Sequence, residues 1–176
     1  MTTMTQDEQA RAWETPHGYR FDIPPFPNCW FQVAYSDELE PNAVMPLQYF
    51  GKDLVLFRGE DGKARVLDAF CPHLGAHLGY GGLVRENTIR CPFHAWRFDG
   101  EGRCVDVPYA NKIPPLAKLD AWPVCEVNGL IMVWHHMEGR PPAFELTVLP
   151  EYGNPAWTMY TKQRWKIRTH NQEMAE

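Results

Sequence analysis

Short apolar runs of five to seven residues, spaced about ten apart, dominate the first three quarters of the chain. CWFQVAY (29–35), MPLQYF (45–50), DLVLFRG (53–59) and ARVLDAF (64–70) are rich in β-branched and aromatic residues. Turn signals separate them: Asp37 and Pro41, then Gly51-Lys52-Asp53, then Glu60-Asp61-Gly62. NTIRC (87–91), AWRFD (95–99), GRCVDV (102–107), PVCEV (123–127) and LIMVW (130–134) continue the pattern. Asp99-Gly100 and Asn128-Gly129 are pairs of the kind that close two-residue hairpins. The pattern predicts an all-β fold, an antiparallel sandwich or small barrel in meander order, over 28–137.

The flanks read differently. Residues 1–27 are polar and then proline-rich (Pro16, Pro24, Pro25, Pro27), an extended arm. Residues 138–156 hold four prolines and read as a linker. WTMYTKQRWKIR (157–168) alternates like a strand, with Trp157, Met159, Trp165 and Ile167 on one face. THNQEMAE opens like a helix, with Thr169 as N-cap and Gln172 three positions on. A helix that short is unstable alone, so 157–176 is expected to begin a second, α+β domain.

Composition narrows the class. The 176 residues are 44% hydrophobic and 22% charged, which excludes disorder, collagen and coiled coil. Thirteen glycines and sixteen prolines favour turns over long helices. A net charge of −5 argues against nucleic acid as the main partner. No run of 18 uncharged apolar residues predicts a membrane span, and MTTMTQDEQARAWET has no apolar signal region, so a cytoplasmic protein is expected. Five cysteines, an odd number in that compartment, suggest metal ligands or buried thiols rather than disulfides.

The chemistry is concentrated in Cys71-Pro72-His73 and Cys91-Pro92-Phe93-His94, a C-x-H and a C-x-x-H separated by 17 residues. Both lie at strand ends near glycines, so two loops each bring one thiol and one imidazole. A mononuclear zinc site with two Cys and two His is one reading. A [2Fe–2S] cluster with two Cys on one iron and two His on the other is the second. Zinc fingers pair like ligands together, whereas each loop here is mixed. Pro72 and Pro92 fix the backbone after each cysteine, and Gly75 allows close approach for N–H···S bonds. These flanks favour the cluster.

CPHLGAHLGYGG (71–82) with CPFHAWRFDGEGRC (91–104) closely resembles the Rieske iron–sulfur signature. The resemblance implies a two-loop cluster-binding subdomain on an antiparallel β sandwich. It implies Cys71 and Cys91 as thiolates on the inner iron and His73 and His94 on the outer one. In respiratory Rieske proteins each loop carries a further cysteine, and a Ser and a Tyr hydrogen-bond the cluster. Ala76, Phe93, Trp96 and Phe98 stand at those places here. The resemblance therefore implies a potential near the low end of the Rieske range, about −150 to +300 mV.

The flanks place the chain nearer Rieske non-haem iron oxygenases than Rieske ferredoxins, which end with the β domain. In such oxygenases a catalytic domain follows, with mononuclear Fe(II) on a two-His, one-carboxylate triad. NQEMAE (171–176) resembles the residues just before those ligands, so no triad ligand is assigned here. AFCPHLGAHLGYGG, IRCPFHAWRFDGEGRCVDVPYANKIPP and EGRPP resemble the steroid-acting group, cholesterol 7-desaturase-like and ketosteroid-hydroxylase-like enzymes. That resemblance implies reduction by a flavin-dependent reductase or a ferredoxin, electron delivery to the catalytic iron for O2-dependent hydroxylation or desaturation, and a homotrimer. A stand-alone Rieske ferredoxin is the alternative. Ala95 occupies a place that is often Gly, which predicts slightly different loop geometry.

The remaining titratable residues have plainer readings. His77 is expected outside the ligand set, and Cys29, Cys104 and Cys125 as buried thiols. His135-His136 is expected to face solvent, and His17 to lack a partner. His170 is not expected to ligate iron. Trp96 is expected to pack over the cluster. Arg85, Arg90, Arg97 and Arg103 are expected on solvated strand faces, with a docking patch for an acidic reductase as the alternative.

Overall fold

In the computed structural model, residues 26–163 and 165 are described. Eleven strands form three antiparallel sheets. β1 (Cys29–Tyr35), β11 (Leu130–His135) and β10 (Val124–Val127) make the first. β2 (Val44–Tyr49), β3 (Lys52–Arg58), β4 (Ala64–Asp68) and β9 (Ala121–Trp122) make the second. β5 (Leu83–Arg85), β6 (Thr88–Arg90), β7 (Arg97–Phe98) and β8 (Cys104–Asp106) make the third.

The all-β antiparallel reading stands. The meander holds within β2–β4 and β5–β8, but the first strand pairs with the last, from Cys29 opposite His135 to Tyr35 opposite Leu130. Sequence order alone does not predict that closure. The sequence pattern does not mark β5 and β9, three and two residues long.

The second sheet is covered on both faces, which explains its composition. Leu54, Leu56 and Val66 point into one core with Val33, Ile131 and Val133 of the first sheet. Val55, Phe57 and Leu67 point into the other with Ile89, Phe98 and Cys104 of the third. A strand buried on both faces reads as a continuous apolar run rather than an alternating one, and LVLF of β3 is fully buried at all four positions. The third sheet, whose loops carry the chemistry, is thereby mounted on a rigid central layer. Arg58, at the end of β3, reaches Glu126 of β10 with two bonds of 2.9 Å. It also donates to the carbonyls of Leu39, Gly62 and Ser36. This pair ties the second sheet to the first.

Two hairpins show how turn chemistry sets register. Asn128 (φ 51°) and Gly129 (φ 74°) form the two-residue turn between β10 and β11, both left-handed as that turn requires. The β2–β3 turn falls on Phe50 (φ 56°) and Gly51 (φ 69°), one residue ahead of the expected Gly51-Lys52-Asp53. A phenylalanine is disfavoured there. Its ring is held by His135 at 4.5 Å and Trp122 at 5.2 Å, both stacked, and this packing offsets the strain.

The chain beyond β11 departs from expectation. Residues 157–163 form no strand, and Trp157, Met159 and Tyr160 are all exposed. Alternation produces a strand only where a free edge accepts the backbone, and this segment is held by side chains instead. The Tyr160 hydroxyl donates to the Asn128 carbonyl at 3.1 Å, and Lys162 pairs with Asp37. Residues 138–156 are also tied down by side chains. The indoles of Trp30 and Trp134 donate to the carbonyls of Phe144 and Arg140, each at 2.9 Å. The Asn128 side chain donates to Thr147 O at 2.9 Å and accepts from Leu149 N at 2.8 Å. Residues 138–163 form a strap pinned across the first sheet. The arm at 1–25, the helix start at Thr169, His17 and His170 lie outside the described residues.

Candidate metal centre

Two loops leave the third sheet's neighbourhood with nearly the same backbone. In the first, Cys71 N donates to Ala76 O at 2.9 Å and Gly75 N to Cys71 O at 2.9 Å. In the second, Cys91 N donates to Trp96 O at 2.8 Å and Ala95 N to Cys91 O at 3.2 Å. Each loop is a six-residue knob that opens and closes on its own cysteine. The fifth residue is left-handed in both, Gly75 at φ 72° and Ala95 at φ 63°. Ala95 therefore does not alter the loop; it takes the glycine conformation with the strain an L-residue carries there. Gly75 adopts this conformation, and an added Cβ there meets no protein atom within 4 Å.

The knobs pair the candidate donors by kind. Cys71 and Cys91 are each 2% exposed, and their side chains interact. They belong to the core that contains Leu78, Ile89 and Phe98. His73 and His94 are half-buried, with ring centroids 4.7 Å apart. Burial pushes the Cys71 thiol up to about 11, with Cys91 adding to the rise and the His73 backbone N–H opposing it. Such thiols keep their protons at neutral pH unless a bound cation compensates, which links ligation to proton release. Cys104, buried beneath, is likewise raised by burial.

The arrangement suits a two-iron group. The donors form a sulfur pair inside and an imidazole pair outside, the division a Cys2His2 [2Fe–2S] cluster asks for. Among the described residues, no group of three or more His, Cys, Asp or Glu converges as one ion's coordination shell. Cys71, Cys91, His73 and His94 could hold such a cluster, with the imidazole edge toward solvent.

The surroundings sort the other candidates. His77 turns away from the ligand pair, its Nδ1 accepting from Gly79 N at 3.0 Å between the rings of Phe70 and Tyr80. Trp96 is buried and stacks on His73, centroids 4.6 Å apart and 9° from parallel. None of the five cysteines is in a disulfide; Cys104 is buried, while Cys29 and Cys125 are only half-buried. His135 does not face solvent. Its Nδ1 lies 3.2 Å from Pro27 O, it stacks on Phe50, and burial lowers its pKa. Arg97 contacts Glu86 at 3.3 Å, and Arg103 contacts Asp99 at 2.8 Å and Glu101 at 3.0 Å. Arg85 and Arg90 have no carboxylate partner among the described residues.

Tyr109 is the residue that sequence reasoning passed over. Its hydroxyl accepts the Trp96 indole N–H at 2.6 Å. It sits in the proline-rich 107–120 connection, where no periodicity or motif marks it. An aromatic residue in the connection that leaves β8 of the third sheet for β9 of the second is the one signal available.

A β sandwich carrying two cysteine–histidine knobs is an iron–sulfur architecture, and comparison with known proteins agrees. Residues 29–123 match the Rieske [2Fe-2S] domain family, and the chain belongs to that family. It is 43% identical over 156 residues to "Cholesterol 7-desaturase nvd 1" of Ciona intestinalis, covering 88% of this chain and 33% of that protein. It is 53% identical over 111 residues to "Probable 3-ketosteroid-9-alpha-monooxygenase, oxygenase component" of Rhodococcus rhodochrous, covering 62% of this chain and 28% of that one. Among solved structures, apo dicamba monooxygenase matches with a TM-score of 0.66 at 28% identity, over 73% of this chain and 40% of that chain. The oxygenase–ferredoxin complex of carbazole 1,9a-dioxygenase matches at 0.57 and 30% identity, over 66% of this chain and 31% of that one. The chain thus spans about a third of the length of the curated relatives it matches. Among the described residues, no helix is long and apolar enough to cross a membrane.

Proposed function

We propose that Cys71, His73, Cys91 and His94 hold a Rieske [2Fe–2S] cluster and that this chain is the electron-entry portion of a Rieske oxygenase acting on a steroid. The buried Cys71–Cys91 pair together with the less buried His73–His94 pair, rings 4.7 Å apart, carries the reading. When bound, the cluster supplies one-electron redox chemistry. The protein's own part is to exclude water from the thiolates, to aim the His73 backbone N–H at the Cys71 sulfur, and to leave the imidazoles at the surface.

In this reading 28–137 is the cluster domain, 1–27 an arm, 138–156 the connection and 157–176 the start of a catalytic domain. That domain carries mononuclear Fe(II) and performs O2-dependent hydroxylation or desaturation. A flavin-dependent reductase or a ferredoxin supplies the electrons, the protein works in the cytoplasm, and the full-length assembly is a homotrimer. Support for the steroid comes from relatives named as cholesterol 7-desaturases and a ketosteroid monooxygenase. Support for the ferredoxin comes from the carbazole complex.

Iron and sulfide analysis with EPR after dithionite reduction tests the cofactor. Two irons and two sulfides per chain with a rhombic Rieske-type signal are expected. A colourless, EPR-silent protein that contains zinc overturns the assignment. For the activity, full-length protein with reductase, NADH and a 3-ketosteroid or a sterol is expected to give oxidised steroid. Cluster reduction without steroid oxidation under those conditions favours a stand-alone ferredoxin role.

A further inference from the structure

The two imidazoles are held by unlike means. A histidine that ligates a metal normally gives its second ring nitrogen to a carboxylate or carbonyl, which fixes the ring plane. Among the described residues, neither the His73 nor the His94 ring has such a hydrogen bond. His73 is instead gripped by a plane: its ring stacks on Trp96 at 4.6 Å and 9°. Trp96 is itself fixed, being only 6% exposed and donating its indole N–H to the Tyr109 hydroxyl at 2.6 Å. Tyr109 comes from outside both cluster loops. Its connection is anchored by Val107, Ala117 and Leu119 in the same core as Cys71 and Cys91. On the other side, His94 leans on Phe93 at 4.0 Å and 36°, and that ring is 64% exposed. Tyr109 lies 6.5 Å from the His94 ring, edge-on, and does not grip it.

We propose that Trp96 and Tyr109 are positioning residues for His73: the indole sets the imidazole plane, and the tyrosine hydroxyl sets the indole. The phenol is the acceptor that keeps a buried indole N–H satisfied, so its loss frees the indole to tilt. Among the described residues His94 has no such brace, so within this domain the two imidazoles differ in rigidity and respond to different substitutions. This rests on the cluster assignment proposed above.

The test uses the iron-loaded full-length protein and its Tyr109→Phe, Trp96→Phe, double and Phe93→Leu variants. Nitrogen couplings of the two histidines are read by pulsed EPR with selectively labelled histidine, and the midpoint potential by redox titration. Tyr109→Phe is expected to move one histidine coupling, leave the other in place, and change the ratio of reduced to oxidised cluster at fixed potential at least twofold. Trp96→Phe should move the same coupling, and the double variant should do no more than the larger single, because both break one bond. Phe93→Leu should move the other coupling only. Parent-like couplings and potential in Tyr109→Phe overturn the proposal.

A second reading needs no metal. In the metal-free protein the indole ring current shifts the His73 ring protons upfield. Tyr109→Phe should return them toward free-histidine values, and unchanged shifts overturn the brace even where a variant loads no iron. A parent protein that shows no rhombic signal defeats the cluster assignment instead, and the metal-free spectra still decide the brace.

Discussion

The cysteine–histidine knobs and the 138–163 strap are both irregular chain, yet they are held in opposite ways. Each knob closes through its own backbone, with Cys71 and Cys91 each accepting and donating a main-chain bond inside a buried core. The strap has few main-chain bonds to the sheet beneath it and depends on side-chain pins from Trp30, Trp134, Asn128 and Tyr160, all but the Trp134 bond at exposed positions. Buried backbone closure fixes geometry to the accuracy that ligation needs. Surface pins fix a path and leave it adjustable at small cost. The molecule spends its rigid packing on the loops and its polar side chains on the strap.

The largest effect that separates the two regions comes from the knobs. Cys91→Ser is expected to abolish iron binding and the reduced EPR signal, while the strap's hydrogen-exchange protection stays unchanged; chelated iron analysis with exchange mass spectrometry reads both.

The next tests the platform under both regions. Glu126→Gln leaves the buried Arg58 without its counter-charge and is expected to cost about 2 kcal/mol in denaturant unfolding. Arg58 holds the Glu126 carboxyl below its usual value of 4.5. That stabilisation is present above the ordinary value and is lost as pH falls through the lowered one. The variant should therefore show a flatter loss of stability in acid than the parent.

Asn128→Gly keeps the left-handed turn and removes both pins on Thr147 and Leu149. It is expected to cost about 1–1.5 kcal/mol and to speed exchange at residues 140–150 while the redox potential stays put. A change of potential would mean that strap and knobs are coupled. The smallest effect is a gain. Ala95→Gly relieves the left-handed alanine and is expected to add about 0.5–1 kcal/mol, raising Tm by about 2 °C. A loss of stability would show that the Ala95 methyl packs in a way that outweighs its strain.

Much of the knobs is legible in the residues alone. Cysteine, proline and histidine at fixed spacing state their chemistry locally, because a six-residue closure depends on those residues and few others. The all-β pattern is legible for the same reason, period by period. Tyr109 is not, because its meaning lies in Trp96, 13 residues away, and no periodicity joins them. Residues 157–163 read as a strand because alternation records a preference, whereas strand formation needs a partner edge. His135 reads as exposed because its neighbours Phe50, Trp122 and Pro27 are distant in sequence.

By itself the sequence determined the fold class and picked out the four candidate donor residues and the two loops that present them, since these follow from local pattern and side-chain chemistry. Tertiary structure alone decided that β1 closes on β11, that β3 is buried on both faces, that the strap is pinned, and that Trp96 stacks on His73. Each of those depends on which distant surfaces meet, and that is settled by burial of the whole chain rather than by any short stretch of it.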